Sequence, residues 1–358
     1  MMSTKLGVLI VGGGWVSSQH VAAFKSNPHT EIVGICGVPL ANAQKCAEAA
    51  GLDVPCFDDY QQALRLPGID IVSIGTPQEF HAQQTIAAAR AGKHILIEKP
   101  VAQTPEELKA MQAAVRAAGV KTVAGFVLRW NPLFQHIKKL SAEGAFGELY
   151  RVETDYQSYQ SDWWKGYVTG RTLEKGGSAM LVAGCHAVDA LRWFAGAGEY
   201  EAAIPQEIFA YQGGKRRGKQ SNYNPYTCDW QEGLPLEYPG VEMIMVKFTN
   251  GVLGRVSVDF ECIQSYAFPV RIFGDKGTVK DNRIFCPQRS KEWVALTDIG
   301  PESSDVKHHP FVAEINHLVD CVLTGKESHC NLDDAALTHD IIFAAQTCYQ
   351  TGLPVRFH

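Results

Sequence analysis

Between residues 6 and 127, short apolar runs alternate with helix-forming stretches at the period of βαβ units, which leaves few folds open. The spacing predicts strands at 6–11, 31–36, 69–74, 94–98 and 122–127. Helices are expected over Ser18–Lys25, Ala41–Ala50, Phe80–Ala91 and Pro105–Ala118. The last opens with Thr104-Pro105-Glu106-Glu107, an N-cap, a proline at the first helical position and acid in the first turn. Alternation of this kind builds a mostly parallel sheet with right-handed crossovers.

The first strand ends in Gly12-Gly13-Gly14-Trp15-Val16-Ser17, close to a G-x-G-x-x-G turn with Ser17 in the third glycine place. A glycine-rich turn between a strand and a helix lets backbone amides approach a pyrophosphate. On the bland alternative it is only a tight βα turn. The second strand ends in Gly37-Val38-Pro39, with no acid for a ribose 2′-hydroxyl and no arginine for a 2′-phosphate. The nearest cation, Lys45, falls well inside the next helix, which points to NAD and leaves NADP open. Thr76 and Pro77 follow the 69–74 strand and belong at the sheet's C-terminal edge beside a dinucleotide, with His81 entering the next helix. Taken by itself, His81 is better read as a packed helix residue.

The run His94–Ile97 ends abruptly in Glu98-Lys99-Pro100. Proline stops both ladder and helix, so Lys99 sits at a strand's C-terminal end, where open α/β sheets bind ligands.

Beyond residue 127 the texture changes. Arg129-Trp130-Asn131-Pro132 opens a helical segment, and strand-like runs follow from Gly147, then at 204–211, 241–249, 252–260, 266–273 and 277–281. Short turns between them predict an open, largely antiparallel sheet, with helices near 311–324 and 333–350. Residues 212–240 lack periodicity and suggest a long excursion or lid. The stretch from Ser178 to Phe194 reads as an amphipathic or buried helix carrying His186 and Asp189 on one face. Trp163, Trp164 and Arg171 precede it; aromatic faces beside hydroxyl-pairing groups suit a sugar or polyol, and core packing is the alternative.

At 358 residues the chain suits two domains, which we place at 1–127 (Rossmann) and 128–358 (substrate-binding and oligomerisation, α+β). A net charge of −5 favours neither nucleic acid nor an anionic membrane as partner. No apolar run is long enough to span a bilayer, and Met1–Lys5 leads straight into the first strand without a secretory segment. The ten cysteines form no C-x-x-C pair, which argues against a metal cluster or disulfide scaffold and for a cytoplasmic protein.

Together these pieces resemble the Gfo/Idh/MocA family of nicotinamide-dependent oxidoreductases that act mainly on sugars and cyclitols. The resemblance rests on Gly12-Gly13-Gly14, Gly75-Thr76-Pro77 with His81, Glu98-Lys99-Pro100, Arg129, and Gly184-x-His186-x-x-Asp189, in that order. It implies NAD held by Gly12, Gly14, Trp15, Val16, Gly37, Thr76, Pro77, His81, Glu98, Lys99 and Arg129. It implies Lys99 and His186 as catalytic residues, with Lys99, Trp163, Trp164, Arg171 and His186 meeting a small-molecule sugar or polyol. A homodimer or homotetramer is the family expectation, and no metal is called for. Relatives usually carry an aspartate four residues before the histidine; here that residue is Val182. Proton transfer would then fall on His186, with Asp189 structural, supporting His186 or a helix contact. The same departure keeps open a glycoside-cleaving enzyme that oxidises, eliminates and reduces on a tightly held, recycled NAD, and more remotely a sensor that has lost its chemistry.

Overall fold

The computed structural model describes residues 5–264, 266–280, 282–296 and 309–357. Met1–Thr4 and Asp281, the end of one expected strand, lie outside the described residues. The chain divides into two units: residues 1–127 with Pro310–Ala336, and Leu128–His309 with Leu337–His358. The stretch Pro310–Ala336 packs with the first unit and not with the second, where a boundary at 127/128 would put it.

The first unit runs β1 (Leu6–Val11), α1 (Trp15–Ser26), β2 (Thr30–Cys36), α2 (Leu40–Ala50), β3 (Cys56–Phe57), α3 (Tyr60–Ala63), β4 (Ile71–Ile74), α4 (His81–Arg90), β5 (His94–Ile97), α5 (Pro105–Ala118) and β6 (Thr122–Ala124). The six strands are parallel in the order β3-β2-β1-β4-β5-β6. Val8–Val11, Ile71–Ile74 and Ile95–Ile97 are buried on both faces of the sheet, which is why these strands read as unbroken apolar runs. Strand order reverses between β1 and β4, and the crevice outside the carboxyl ends at that reversal is where such sheets hold a dinucleotide. Helix α5 begins as its sequence predicts: Thr104 Oγ1 accepts the Glu107 amide at 3.2 Å, and Glu107 Oε2 accepts the Gln103 amide at 2.9 Å.

The second unit continues with α6 (Pro132–Ala142), β7 (Leu149–Gln157), α7 (Lys165–Gly170), α8 (Leu173–Gly176), α9 (Cys185–Ala195), β8 (Pro205–Gly213), β9 (Ser221–Asn224), β10 (Asp229–Glu232), β11 (Val241–Phe248), β12 (Leu253–Asp259), β13 (Val270–Gly274), β14 (Thr278–Lys280), β15 (Arg283–Cys286) and β16 (Ser290–Ala295). The chain closes with α10 (Phe311–Thr324, in the first unit), α11 (Leu332–Thr351) and β17 (Val355–Arg356).

A nine-stranded sheet, β16-β15-β14-β13-β7-β12-β11-β8-β17, is antiparallel except for the β7–β12 pair. Strand β11 alternates buried Ile244, Val246 and Phe248 with exposed Met243 and Met245, so one face is packed and the other open. On the packed side lies α9, every residue of which is buried. Thr154 Oγ1 donates to the Ala187 carbonyl at 2.8 Å and fixes that helix on the sheet. Within the 212–240 excursion the structure forms a hairpin, β9–β10.

Among the described residues no helix is long and apolar enough to cross a membrane, and no group of three or more His, Cys, Asp or Glu side chains could hold a metal ion. The ten cysteines are not joined by disulfides.

Candidate functional site

In the first unit the β1–α1 turn is a backbone cradle. Gly12 has φ +125°, and a Cβ there would stand 2.4 Å from Ser17 Oγ and 2.6 Å from the Gly75 carbonyl. Only glycine suits that place. Gly14 is the N-cap of α1 and offers no side-chain acceptor to the helix's first amides. A Cβ on Gly14 would meet nothing within 4 Å, so the backbone lies open there. Open amides at the positive end of a helix dipole fit a pyrophosphate. Ser17, in the third glycine place, is buried, with its hydroxyl 3.5 Å from the Gly75 carbonyl. That departure is thus absorbed within the cradle, between the turns after β1 and β4. Trp15 is exposed and packs edge-on against Phe311, ring centroids 5.9 Å apart.

Replacing Gly12 by alanine is expected to weaken NAD binding at least tenfold, because the methyl must displace either Ser17 or the Gly75 backbone just after β4. A fluorescence titration with NAD measures it.

The loops after β4 and β5 are joined through His81. Its Nδ1 lies 2.8 Å from the Pro100 carbonyl and its Nε2 2.9 Å from the Thr76 carbonyl. With the ring 1% exposed, His81 shapes the crevice wall by holding both loops. Burial lowers its pKa, against the opposing pull of the two carbonyls. Thr76 Oγ1 donates to Gln84 Oε1 at 2.6 Å, and Pro77 leads into α4.

At the end of β2, Gly37 donates to the Phe57 carbonyl at 2.9 Å. The acid missing there has neighbours in Asp58 and Asp59, just beyond β3. Burial first, then Asp59 and Asp58, push the Cys36 thiol up to about 11. A two-residue strand has no readable period, so no pattern in the chain associates β3 with β2.

Lys99 lies two residues past the end of β5, after Glu98. Glu98 is buried and accepts the Lys99 amide on Oε2 at 3.1 Å, and its Oε1 lies 3.3 Å from His20 Nε2. Burial alone would raise the Glu98 carboxyl, but His20 and Lys99 outweigh it and hold it below the usual glutamate range. Gly125 leaves the room this needs, since a Cβ there would sit 3.1 Å from Glu98 Cδ. His20 hydrogen-bonds Ser73 Oγ through Nδ1 at 2.9 Å, a partnership no sequence spacing announces.

The second unit carries the remaining candidates. His186 is 4% exposed on α9, with its ring 6.2 Å from that of His309. Before it, Met180–Gly184 forms a π-helical turn, a feature frequent at functional sites. Val182 lies in that turn, 6% exposed, against Gly170 and Gly176, where Cβ atoms would come within 3.3 Å and 3.1 Å of its methyls. An apolar side chain therefore fills the place where relatives were expected to carry aspartate. Arg129 is 1% exposed and forms a bidentate pair with Asp189, Nε to Oδ2 at 2.8 Å and Nη2 to Oδ1 at 2.5 Å. Its guanidinium is thus engaged with Asp189 inside the second unit.

Trp163 Nε1 donates to the Tyr159 carbonyl at 2.9 Å and its ring meets Tyr226 edge-on at 5.1 Å. The Trp164 ring folds over Gly166, where a Cβ would lie 2.4 Å from Cζ2. Arg171 donates to the Pro235 carbonyl at 3.1 Å and lies 3.6 Å from Glu237. Trp163 and Arg171 thereby fasten the 212–240 excursion to the segment before α9. The residue that organises this lobe, Arg216, was missed. It is 4% exposed, stacks on Tyr159 at 4.3 Å, and donates to Tyr167 Oη at 3.0 Å and Asn222 Oδ1 at 2.5 Å. A lysine- and arginine-rich surface loop looks the same in sequence.

A parallel sheet of this order with an open glycine cradle at its switch point defines a dinucleotide-binding oxidoreductase scaffold, and comparison with known proteins agrees. Residues 6–126 match the oxidoreductase family with NAD-binding Rossmann fold, and residues 134–280 match the GFO/IDH/MocA C-terminal domain. The chain belongs to the GFO/IDH/MocA family of NAD-binding oxidoreductases. It is 25% identical to scyllo-inositol 2-dehydrogenase (NAD(+)) of Bacillus subtilis over 99% of this chain and 97% of that protein. It is 30% identical to levoglucosan dehydrogenase of Pseudarthrobacter phenanthrenivorans over 70% of this chain and 66% of that protein, and 28% identical to D-glucoside 3-dehydrogenase of Escherichia coli over 65% and 66%. Myo-inositol 2-dehydrogenase from Lactobacillus plantarum shares the fold, with TM-score 0.79, 18% identity and coverage of 99% of this chain and 100% of that one.

Proposed function

We propose that this chain is an NAD-dependent dehydrogenase or reductase of a sugar, sugar derivative or cyclitol, with Lys99 and His186 acting at the reacting oxygen. The observation that carries the reading is Lys99 itself. It stands at the carboxyl end of β5, in the same unit as the glycine cradle, with a charged Glu98 behind it. NAD, when bound, supplies the hydride acceptor. In the oxidative direction His186 takes the hydroxyl proton and the Lys99 ammonium steadies the negative charge that develops on oxygen. Glu98 holds the Lys99 backbone in place through its amide.

The names of relatives that act on levoglucosan and on D-glucosides favour a substrate whose anomeric carbon is already bonded. A panel of free sugars, methyl glycosides, levoglucosan and inositols, each with NAD and followed by nicotinamide absorbance, is expected to give turnover with at least one polyol. Tight NAD binding with no turnover across the panel would count against the proposal. Val182 favours a second reading, redox-neutral glycoside cleavage on a retained NAD. It would appear in the same assay as release of the aglycone without accumulation of NADH.

A further inference from the structure

Four side chains cross the interior of the first unit behind Lys99. Ser73 on β4 meets His20 on α1 at 2.9 Å, His20 lies 3.3 Å from Glu98, and Glu98 accepts the Lys99 amide at 3.1 Å. The fourth is Glu314 on α10, the helix that packs against α1 and β5. Phe311, three residues earlier and so on the same helical face, sets its ring 5.5 Å from that of His20. Glu314 is 0% exposed, and neither of its carboxyl oxygens has a hydrogen-bond partner among the described residues. The mechanism above does not use it.

Two carboxyls in one dry interior do not both ionise cheaply. Glu98 has His20 beside it, the Lys99 charge, and an amide donor. Phe311 on the same face meets His20, which itself lies against Glu98, so Glu98 is the charged group whose field reaches Glu314 and opposes a second anion there. The proton therefore belongs on Glu314 and the charge on Glu98, and burial pushes Glu314 well above the usual glutamate range in agreement. The titratable groups around the pair are His20 from α1, Lys99 from the end of β5, and His81 from α4, which senses Glu98.

We infer that Glu314 is a positioning residue for Lys99: as a neutral carboxylic acid it gives Glu98 a polar neighbour without a rival charge, and so keeps Glu98 the one carboxylate backing the lysine. This rests on the reading of Lys99 as catalytic, but its test does not depend on turnover. The test is the pH-dependent acetylation of Lys99 by acetic anhydride, resolved by peptide mass spectrometry on the whole protein with and without NAD.

E98Q removes the anion and is expected to raise Lys99 reactivity near neutral pH by about tenfold. E314Q replaces a neutral dipole by another and should leave Lys99 reactivity within about twofold of wild type. E314L removes the dipole and should raise reactivity by about threefold or more. A purely structural role would leave Lys99 unmoved in every Glu314 variant.

Stability against pH gives a second measurement that E314Q alone supplies should E314L not fold. A glutamate whose native pKa is raised stabilises the fold fully only below its unfolded pKa of about 4.3, and loses that contribution as pH rises toward the native value. E314Q should therefore gain on wild type progressively as pH is raised from about 4. A Lys99 response to E314Q as large as that to E98Q would mean Glu314 is ionised and overturn the inference. So would an E314L protein with wild-type Lys99 reactivity, or an E314Q stability difference that does not vary with pH. Loss of turnover in a Lys99 variant is a separate question, judged by kinetics.

Discussion

Lys99→Met is expected to reduce turnover by about 10²–10³-fold, the cost of removing one preorganised donor at a developing oxyanion. NAD affinity should change by less than about threefold, because methionine keeps the apolar stem and the cradle at Gly12 and Gly14 is untouched. The size of the effect follows from the surroundings of Lys99. Glu98 is buried and held in its charged form, so the lysine is backed by a fixed anion instead of mobile solvent. His186→Gln should fall in the same range if its ring takes the proton. The double variant K99M/H186Q should be little worse than the poorer single variant, since groups that serve one oxygen are not additive. Steady-state kinetics on the best substrate of the panel, with a fluorescence titration for NAD, measures all three. Turnover by K99M above about a tenth of wild type would move the chemistry away from this strand end.

That Lys99 was visible in the sequence and Glu314 was not has a physical cause. The strand ending in Glu98-Lys99-Pro100 is local: an apolar run, a stop and a charge all lie within seven residues. The same holds for β1 with its glycines and for α5 with its cap, so most of the parallel sheet was legible. Strand β3 was not, because two residues carry no pattern. Strands β9 and β10 were not, because Ser221–Asn224 carries no apolar alternation and Asp229–Glu232 is exposed throughout, so neither shows the pattern that burial imposes. Contacts of long separation escape such reading altogether. Ser73, His20, Glu98 and Glu314 come from four different elements, and α10 reaches the first unit only after the chain has built the second. Arg216 is the parallel case in the second unit: its burial depends on rings at Tyr159 and Tyr167 some fifty residues upstream. The π-helical turn before His186 likewise follows from packing. Gly184 lies against Met180 and Val258, where a Cβ would come within 2.6 Å and 3.0 Å.

Arg129 and Asp189 present the sharpest stability expectation. Both are 1% exposed, joined by two hydrogen bonds, and Thr338 Oγ1 adds a third to Asp189 Oδ1 at 3.3 Å. Thr338 in turn accepts Arg192 Nη1 at 2.8 Å, so Asp189 serves two buried cations, one directly and one through a hydroxyl. Asp189→Ala removes the carboxylate that pairs bidentately with the buried Arg129 and should cost about 3–5 kcal/mol in urea unfolding. Arg129→Met alone leaves a carboxylate with Thr338 and should cost about as much. The double variant R129M/D189L removes both charges and should recover most of the loss, since apolar pairs of similar volume commonly replace buried ion pairs at little cost. The same protein decides what Arg129 is for. If its guanidinium serves only Asp189, R129M/D189L binds NAD within about threefold of wild type; if it contacts the cofactor, affinity falls by tenfold or more even though stability returns. Because Asp189 lies three residues after His186 on α9, a turnover loss that outlasts the restored stability would show that the ion pair also sets the direction of the catalytic ring.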